Sequence, residues 1–134
     1  MIFVDANVPM YLIGADHPHK VDARLLLERL AGERRRLTTS SEVFQEILHR
    51  YLSIGRRDKI EPAFELLRQI VDDVLGIEEA DVFAAKDIIH AHETLSARDA
   101  LHAAVMRRNQ ITEIASFDRG FDAIAGIRRL PAQS

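Results

Sequence analysis

Ile2-Phe3-Val4-Asp5-Ala6-Asn7-Val8 decides the fold. A short unbroken apolar run is the signature of a strand buried on both faces, and such strands belong to parallel sheets covered by helices. The run ends on a carboxylate. Asp5 gains nothing from packing at that place, and Asn7 stands two residues on, where it can hydrogen-bond the acid or a water beside it. Three further stretches put acids in comparable settings: Glu46 in the helix after Leu37-Thr38-Thr39, Asp99 in Ser96-Ala97-Arg98-Asp99-Ala100-Leu101, and Asp118 just past Glu113-Ile114-Ala115-Ser116. A cluster of carboxylates at strand ends would need a cation to offset its charge.

Outward from that run, strand and helix signals alternate along the chain. Helices are expected over Val8–Ile13, His19–Ala31, Ser41–Leu52, Glu61–Val71, Glu79–His92 and Ala97–Arg108. Strands are expected at residues 2–4, 37–39, 74–75 and 113–115, with a helical turn near Asp118–Ile124 and an edge strand at Ile127–Leu130. The predicted inward faces are Val21, Leu25, Leu26 and Leu30 in the second helix and Val43, Phe44, Ile47, Leu48 and Tyr51 in the third. They are Phe64, Leu67 and Ile70 in the fourth, and Val82, Phe83, Ile88 and Ile89 in the fifth. The fold class is α/β: a mostly parallel central sheet of four to five strands, flanked by helices on both faces. In such sheets ligands bind beyond the carboxyl ends of the strands, where the acids are found.

The chain of 134 residues is sized for one domain, 1–134, and its 47% apolar content suffices for one core. It has no cysteine, which excludes disulfides and thiolate metal sites and permits a cytoplasmic location. Neither a signal peptide nor a membrane span is indicated. The net charge of −3 disfavours indiscriminate polyanion binding. The cations are nevertheless grouped, at Arg34-Arg35-Arg36, at Arg50 with Arg56, Arg57 and Lys59, at Arg107-Arg108 and at Arg128-Arg129, so one face can still hold phosphates. Arg107-Arg108 equally suits the negative end of a helix dipole.

Each acid also has a structural explanation. Asp99 follows Ser96 by three residues, the spacing of a capping box, and Asp118 can cap the turn it begins. Glu42 follows Thr39 at the same spacing, whereas Glu46 is too deep in its helix to act as a cap. That favours Glu46 over Glu42 as the functional acid, although the two lie one turn apart and can point the same way.

Four blocks carry a family resemblance: Ile2-Phe3-Val4-Asp5-Ala6-Asn7-Val8; Thr39-Ser40-Ser41-Glu42-Val43-Phe44-Gln45-Glu46-Ile47-Leu48; Ser96-Ala97-Arg98-Asp99-Ala100-Leu101-His102-Ala103-Ala104; and Ala115-Ser116-Phe117-Asp118-Arg119-Gly120-Phe121-Asp122. In this order and spread the chain resembles a PIN-domain ribonuclease of the VapC toxin type. The resemblance implies a PIN-like fold and a metal-dependent endoribonuclease of a toxin–antitoxin pair. It assigns catalysis to Asp5, Glu46, Asp99 and Asp118, and support to Asn7 and Ser116. Gly120 departs from the pattern, since relatives often carry an acid there, and Asp122 is its nearest substitute. Asp5, Asp99 and Asp118 are the expected metal ligands, for one or two Mg2+ or Mn2+ ions. RNA is the implied substrate, a VapB-type antitoxin the implied partner, and a homodimer the implied assembly. The groove for the antitoxin is expected among helix residues between His19 and Leu52, with Phe44 and Tyr51 among the candidates.

Three other readings compete. A catalytically silent binding module would keep the fold and lose the chemistry. A di-iron carboxylate protein needs two Glu-x-x-His pairs; Glu46-Ile47-Leu48-His49 supplies one, and Asp99-Ala100-Leu101-His102 has aspartate in the second. His49 and His102 therefore read as ordinary helix residues. A haloacid-dehalogenase-type phosphatase needs Asp-x-Asp, and the chain has Asp5-Ala6-Asn7.

Overall fold

In the computed structural model, which describes residues 1–131, β1 (Ile2–Val4) is the central strand of a five-stranded sheet. Its three side chains point alternately to opposite faces, and none is exposed, so both faces are covered. The other strands are β2 (Leu37–Ser40), β3 (Asp73–Leu75), β4 (Glu113–Ala115) and β5 (Arg128–Leu130). All pairings are parallel, in the order β3-β2-β1-β4-β5. The expectation of a mostly parallel α/β sheet is met, with five strands. Residues 132–134 of the expected domain lie outside the described residues.

The strand order places the site. The chain runs outward from β1 through β2 to β3, then crosses back to lay β4 on the other side of β1 and β5 beyond it. The order therefore reverses between β1 and β4, and the loops leaving these neighbours diverge to open a crevice beyond their carboxyl ends. Phe3 is level with Ile114 and Val4 with Ala115, so Asp5 and Ser116, the next residues on each strand, emerge side by side.

Among the described residues six helices make the crossovers: α1 (Asn7–Ile13), α2 (Pro18–Gly32), α3 (Ser41–Ser53), α4 (Ile60–Ile70), α5 (Glu79–Ala91) and α6 (Ala97–Arg108). Pro18 opens α2, where its missing N–H costs nothing. The chain reverses after α3 through Gly55, whose φ of +70° favours glycine. In α6 an unbroken run from His102 to Met106 is buried, so the helix is enclosed rather than amphipathic, and its alanines permit close packing.

Two predicted faces are corrected. In α2 the buried face is Ala23, Leu26 and Leu30, while Val21 and Leu25 are 48% and 52% exposed. At 100° per residue, Val21 and Leu25 lie opposite Ala23, and the small alanine rather than the large aliphatics marks the contact. In α5 the buried face is Asp81, Ala85 and Ile88, and Val82 and Phe83 are 55% and 58% exposed. A charged residue marks that inward face. Asp81 accepts from Arg108 at 2.7 Å and from the Glu78 amide at 2.8 Å, which satisfies its buried carboxylate.

Leu48 is also half-exposed, whereas Val43, Ile47 and Tyr51 are buried and Phe44 packs edge-on against Phe64. The di-iron reading fails on this architecture, because the helices flank a sheet and form no four-helix bundle.

Candidate functional site

The first acid is held by the sheet itself. The Asp5 amide donates to the Ala115 carbonyl at 3.0 Å, extending the β1–β4 ladder by one bond and holding the residue at the carboxyl end of both strands. Its Oδ1 accepts from the Ala6 amide at 2.8 Å. Its Oδ2 accepts from Ser116 Oγ at 2.6 Å and from Asn7 Nδ2 at 3.4 Å. Asn7 ties the same region together, since Nδ2 also reaches Ser116 Oγ at 3.2 Å and Oδ1 accepts from the Phe117 amide. Burial pushes the Asp5 carboxyl above the ordinary aspartate range, against the pull of His102.

Ser116 then passes the order on to Asp118, whose amide donates to Ser116 Oγ at 3.0 Å. Asp118 Oδ1 accepts from the Gly120 amide at 2.8 Å, capping a 3-10 turn over Arg119–Ala123. Asp99 enters from α6. Its amide donates to the capping Ser96 Oγ at 3.1 Å, which leaves the carboxyl free to turn inward and hydrogen-bond that of Asp118. Asp118 therefore combines a cap and a crevice role, whereas at α6 the cap is Ser96 alone and the Asp99 carboxyl does not complete the expected capping box.

This pair shares one proton. Burial, the hydrogen bond to Asp118 and the nearby charges of Asp5, Asp118 and Glu46 raise Asp99 to about 8. Asp118 is held below the usual range, first because it accepts the Asp99 bond and then through the Gly120 amide, Arg50 and Arg129. Carboxyls this close cannot all ionise unless a cation joins them.

Glu46 comes from the second turn of α3 and is 6% exposed. Its Oε1 meets His102 Nε2 at 3.1 Å, and its Oε2 meets Arg50 Nε at 3.1 Å. Burial pushes its carboxyl up, and His102, Arg50 and Arg98 together bring it below the ordinary value. Glu42, one turn earlier, pairs instead with Arg98 at 3.3 Å. The expected capping box at Glu42 does not form: α3 begins after Ser40, and Thr39 Oγ1 donates to the Val4 carbonyl at 2.8 Å.

Glu46, Asp99 and Asp118 line a crevice of about 540 Å³ together with Arg50, Arg98 and Gly120, and the buried Asp5 carboxylate, which is not among its lining, is near enough to push Asp99 up. The structure thus brings Asp5, Glu46, Asp99, Asp118, Asn7 and Ser116 to one place. Asp122 is not part of it, because its carboxylate is bound by the buried Arg129 guanidinium at 2.9 Å. At Gly120 a side chain would start 3.1 Å from Asp118 Oδ1 and 3.8 Å from Asp99 Oδ2, so glycine leaves the mouth of the crevice open.

Two features escaped the sequence reading. His102 is not an ordinary helix residue: it is fully buried and reaches both Glu46 and Asp5, with a ligand atom from each of the three side chains within 4.8 Å of the others. Its place one turn after Asp99 was the available signal. The basic groups also divide. Arg35 and Arg128 pair with Glu113 and Arg36 with Asp73, at the ends where the strands begin; Arg108 pairs with Asp81. Arg50 and Arg98 are the cations at the crevice.

The PIN domain family matches residues 2–127. The chain is 56% identical to Ribonuclease VapC13 of Mycobacterium tuberculosis, over 97% of its own length and 99% of the relative's. It is 42% identical to Ribonuclease VapC23 of the same species, over 88% and 93%. Among solved structures, the Mycobacterium tuberculosis VapC20 toxin, described as cleaving the sarcin-ricin loop, superposes with a TM-score of 0.72 at 25% identity, covering 92% of this chain and 94% of that one. The Rickettsia felis VapBC2 complex, bound to a promoter DNA fragment, gives 0.73 at 16% identity over 96% and 97%, a likeness of fold. With nearly its whole length matched at these identities, the chain belongs to the PIN domain family and, within it, to the VapC ribonucleases.

Proposed function

We propose that this chain is a metal-dependent endoribonuclease, the toxin of a toxin–antitoxin pair, and that Asp5, Glu46, Asp99 and Asp118 carry its chemistry. The observation behind the proposal is the convergence of these four carboxylates from separate segments, near enough that burial and their mutual charge push Asp99 well above the ordinary aspartate range.

The donor set fits a hard divalent ion, because every outward-facing ligand is a carboxylate oxygen. Asp5, Asp99 and Asp118 would hold one or two Mg2+ or Mn2+ ions. Bound there, such an ion supplies neutralising charge and makes water acidic enough to attack a phosphodiester. The protein's part follows from the bonds described. Ser116 and Asn7 fix the Asp5 carboxylate, so it need not reorganise during the reaction. Glu46 Oε2, at the crevice wall, accepts a proton from the attacking water once Arg50 turns to the RNA. Arg50 and Arg98 hold the phosphates on either side of the cut.

A VapB-type antitoxin is the proposed partner, and complexes of VapB with VapC are among the structures sharing this fold. Of the two expected groove residues, Phe44 packs against Phe64 in the core, whereas Tyr51, though mostly buried, reaches a cavity beside the crevice. A second cavity of about 330 Å³ adjoins the crevice through Arg50 and is walled by Met10, Tyr11, Tyr51 and Ile54. An antitoxin segment lying along it and reaching an arginine to the acids would displace the cation. A homodimer is the proposed assembly, and a cytoplasmic location accords with RNA as substrate. No helix among the described residues is long and apolar enough to cross a membrane.

Incubation of the purified protein with structured RNAs, in Mg2+, Mn2+ or chelator, tests the proposal. Cation-dependent cuts with mapped ends support it. Binding without cutting, in every cation, would favour the silent binding module.

A further inference from the structure

The side chain that meets both buried carboxylates is His102. It sits on α6 one turn beyond Asp99 and has no exposed surface. Its Nε2 is 3.1 Å from Glu46 Oε1 and 3.7 Å from Asp5 Oδ1. Its ring leans on Phe3 with centroids 5.5 Å apart, and its Nδ1 is buried with no partner.

The partners decide where the ring proton resides. Nε2 faces two carboxylate acceptors, so a bare lone pair there would be repelled by both. A proton on Nδ1 alone would in addition be a buried donor with nothing to bind, which is the costlier kind of unmet group. The proton is therefore on Nε2. That N–H is occupied in donating to Glu46, so Nε2 is not a free lone pair for a cation.

We infer that His102 is a positioning residue for the acidic site: its Nε2–H fixes the buried edge of Glu46 beside Asp5 and turns Glu46 Oε2 toward the crevice. Three elements meet at this point. Asp5 follows β1, Glu46 comes from α3, and His102 reaches both from α6, so one imidazole sets the spacing of two acids that would otherwise repel each other. Arg50 binds the other Glu46 oxygen, but from a half-exposed position, and cannot fix the buried edge. The inference rests on reading the crevice as the phosphodiester site, and it gives Glu46 a fixed direction there.

Two measurements test it. In the first, the full chain is labelled with 15N-histidine and the ring nitrogens are followed by NMR, without metal and then with Mg2+. A protonated Nε2 that keeps its proton when Mg2+ is added is expected. A proton on Nδ1 alone, or loss of the Nε2 proton on adding Mg2+, would overturn the inference, the latter by making His102 a ligand. In the second, His102→Gln, whose amide N–H can take the place of Nε2–H, is compared with His102→Leu. Mn2+ binding is read by electron paramagnetic resonance and RNA cleavage by kcat and KM. The Leu variant should lose about ten- to a hundredfold in Mn2+ affinity and in kcat with little change in KM, while the Gln variant stays near the wild type. Equal losses in both variants, or none in the Leu variant, would reduce His102 to packing. If the Leu variant does not fold, the NMR result on the unaltered protein and the Gln variant decide. Should the wild type cut no RNA with any cation, the nuclease reading fails, whereas the NMR and Mn2+ arms still judge His102.

Discussion

Cation binding should expel a proton from the Asp99–Asp118 pair, and the number expelled follows from the structure. Asp99 is raised to about 8 by burial, by its bond to Asp118 and by the neighbouring acids. At pH 7 it is then protonated in about nine-tenths of the molecules, so binding one divalent ion should release about 0.9 proton, falling to about 0.1 at pH 9. The apparent affinity for Mn2+ should drop by about tenfold for each pH unit below 8 for the same reason. Isothermal titration calorimetry at pH 7, repeated in buffers of different ionisation enthalpy, counts these protons. Asp99→Asn removes the proton and should remove the buffer dependence with it. Binding of Mn2+ at pH 7 with no proton released would refute the reasoning, because it would mean that Asp99 is already ionised beside three other acids.

The same shift makes the cation-free protein sensitive to pH. Between the ordinary aspartate value of 3.8 and about 8 the folded protein holds a proton that the unfolded chain has lost, so the Asp99 contribution declines as pH rises through that interval. The lowered Asp118 acts in a different window, its contribution being lost as pH falls through its folded value, below 3.8. Thermal melts in chelator should therefore show Tm falling from pH 5 to pH 8, with Mg2+ or Mn2+ restoring it most at the alkaline end; a flat profile counts against the shared proton. Glu46→Gln should cost at least about a hundredfold in kcat and Glu42→Gln far less, since the former's carboxylate borders the crevice and the latter's pairs with Arg98. The reverse order in RNA cleavage would transfer the role to Glu42. Asp5→Asn should abolish most cleavage and leave the circular dichroism spectrum unchanged, and near-normal activity would remove Asp5 from the site. Leu67→Ala, which empties a fully buried place on α4, should destabilise by about 2–5 kcal/mol in urea titration without altering the metal requirement.

What could be read before folding depended on local physics. β1 was legible because three apolar residues followed by an acid satisfy few other structures, and the helices because their caps and periodicities repeat over several turns. Inward faces were legible only where large aliphatics mark them. In α2 and α5 the contact is made by Ala23, Ala85 and the charge-paired Asp81, and hydrophobicity alone pointed to Val21, Leu25, Val82 and Phe83. The gathering of Asp5, Glu46, Asp99 and Asp118 followed from strand ends sharing one edge of a parallel sheet. His102 was illegible for a related reason: its partners, Glu46 and Asp5, are 56 and 97 positions away, and only the crossing of α6 over β1 brings them together. Asp122 looked available because Arg129, seven positions on, reads as a surface cation in a strand and is in fact buried against it.

The central claim is that these acids enclose a divalent ion, and the most direct measurement is anomalous diffraction from crystals soaked in Mn2+. The account predicts a peak within about 2.2 Å of carboxylate oxygens from Asp5, Asp99 and Asp118, close to the spacing such hard cations take. A saturated soak with no peak in the crevice, or with a peak bound only by other residues, would contradict it.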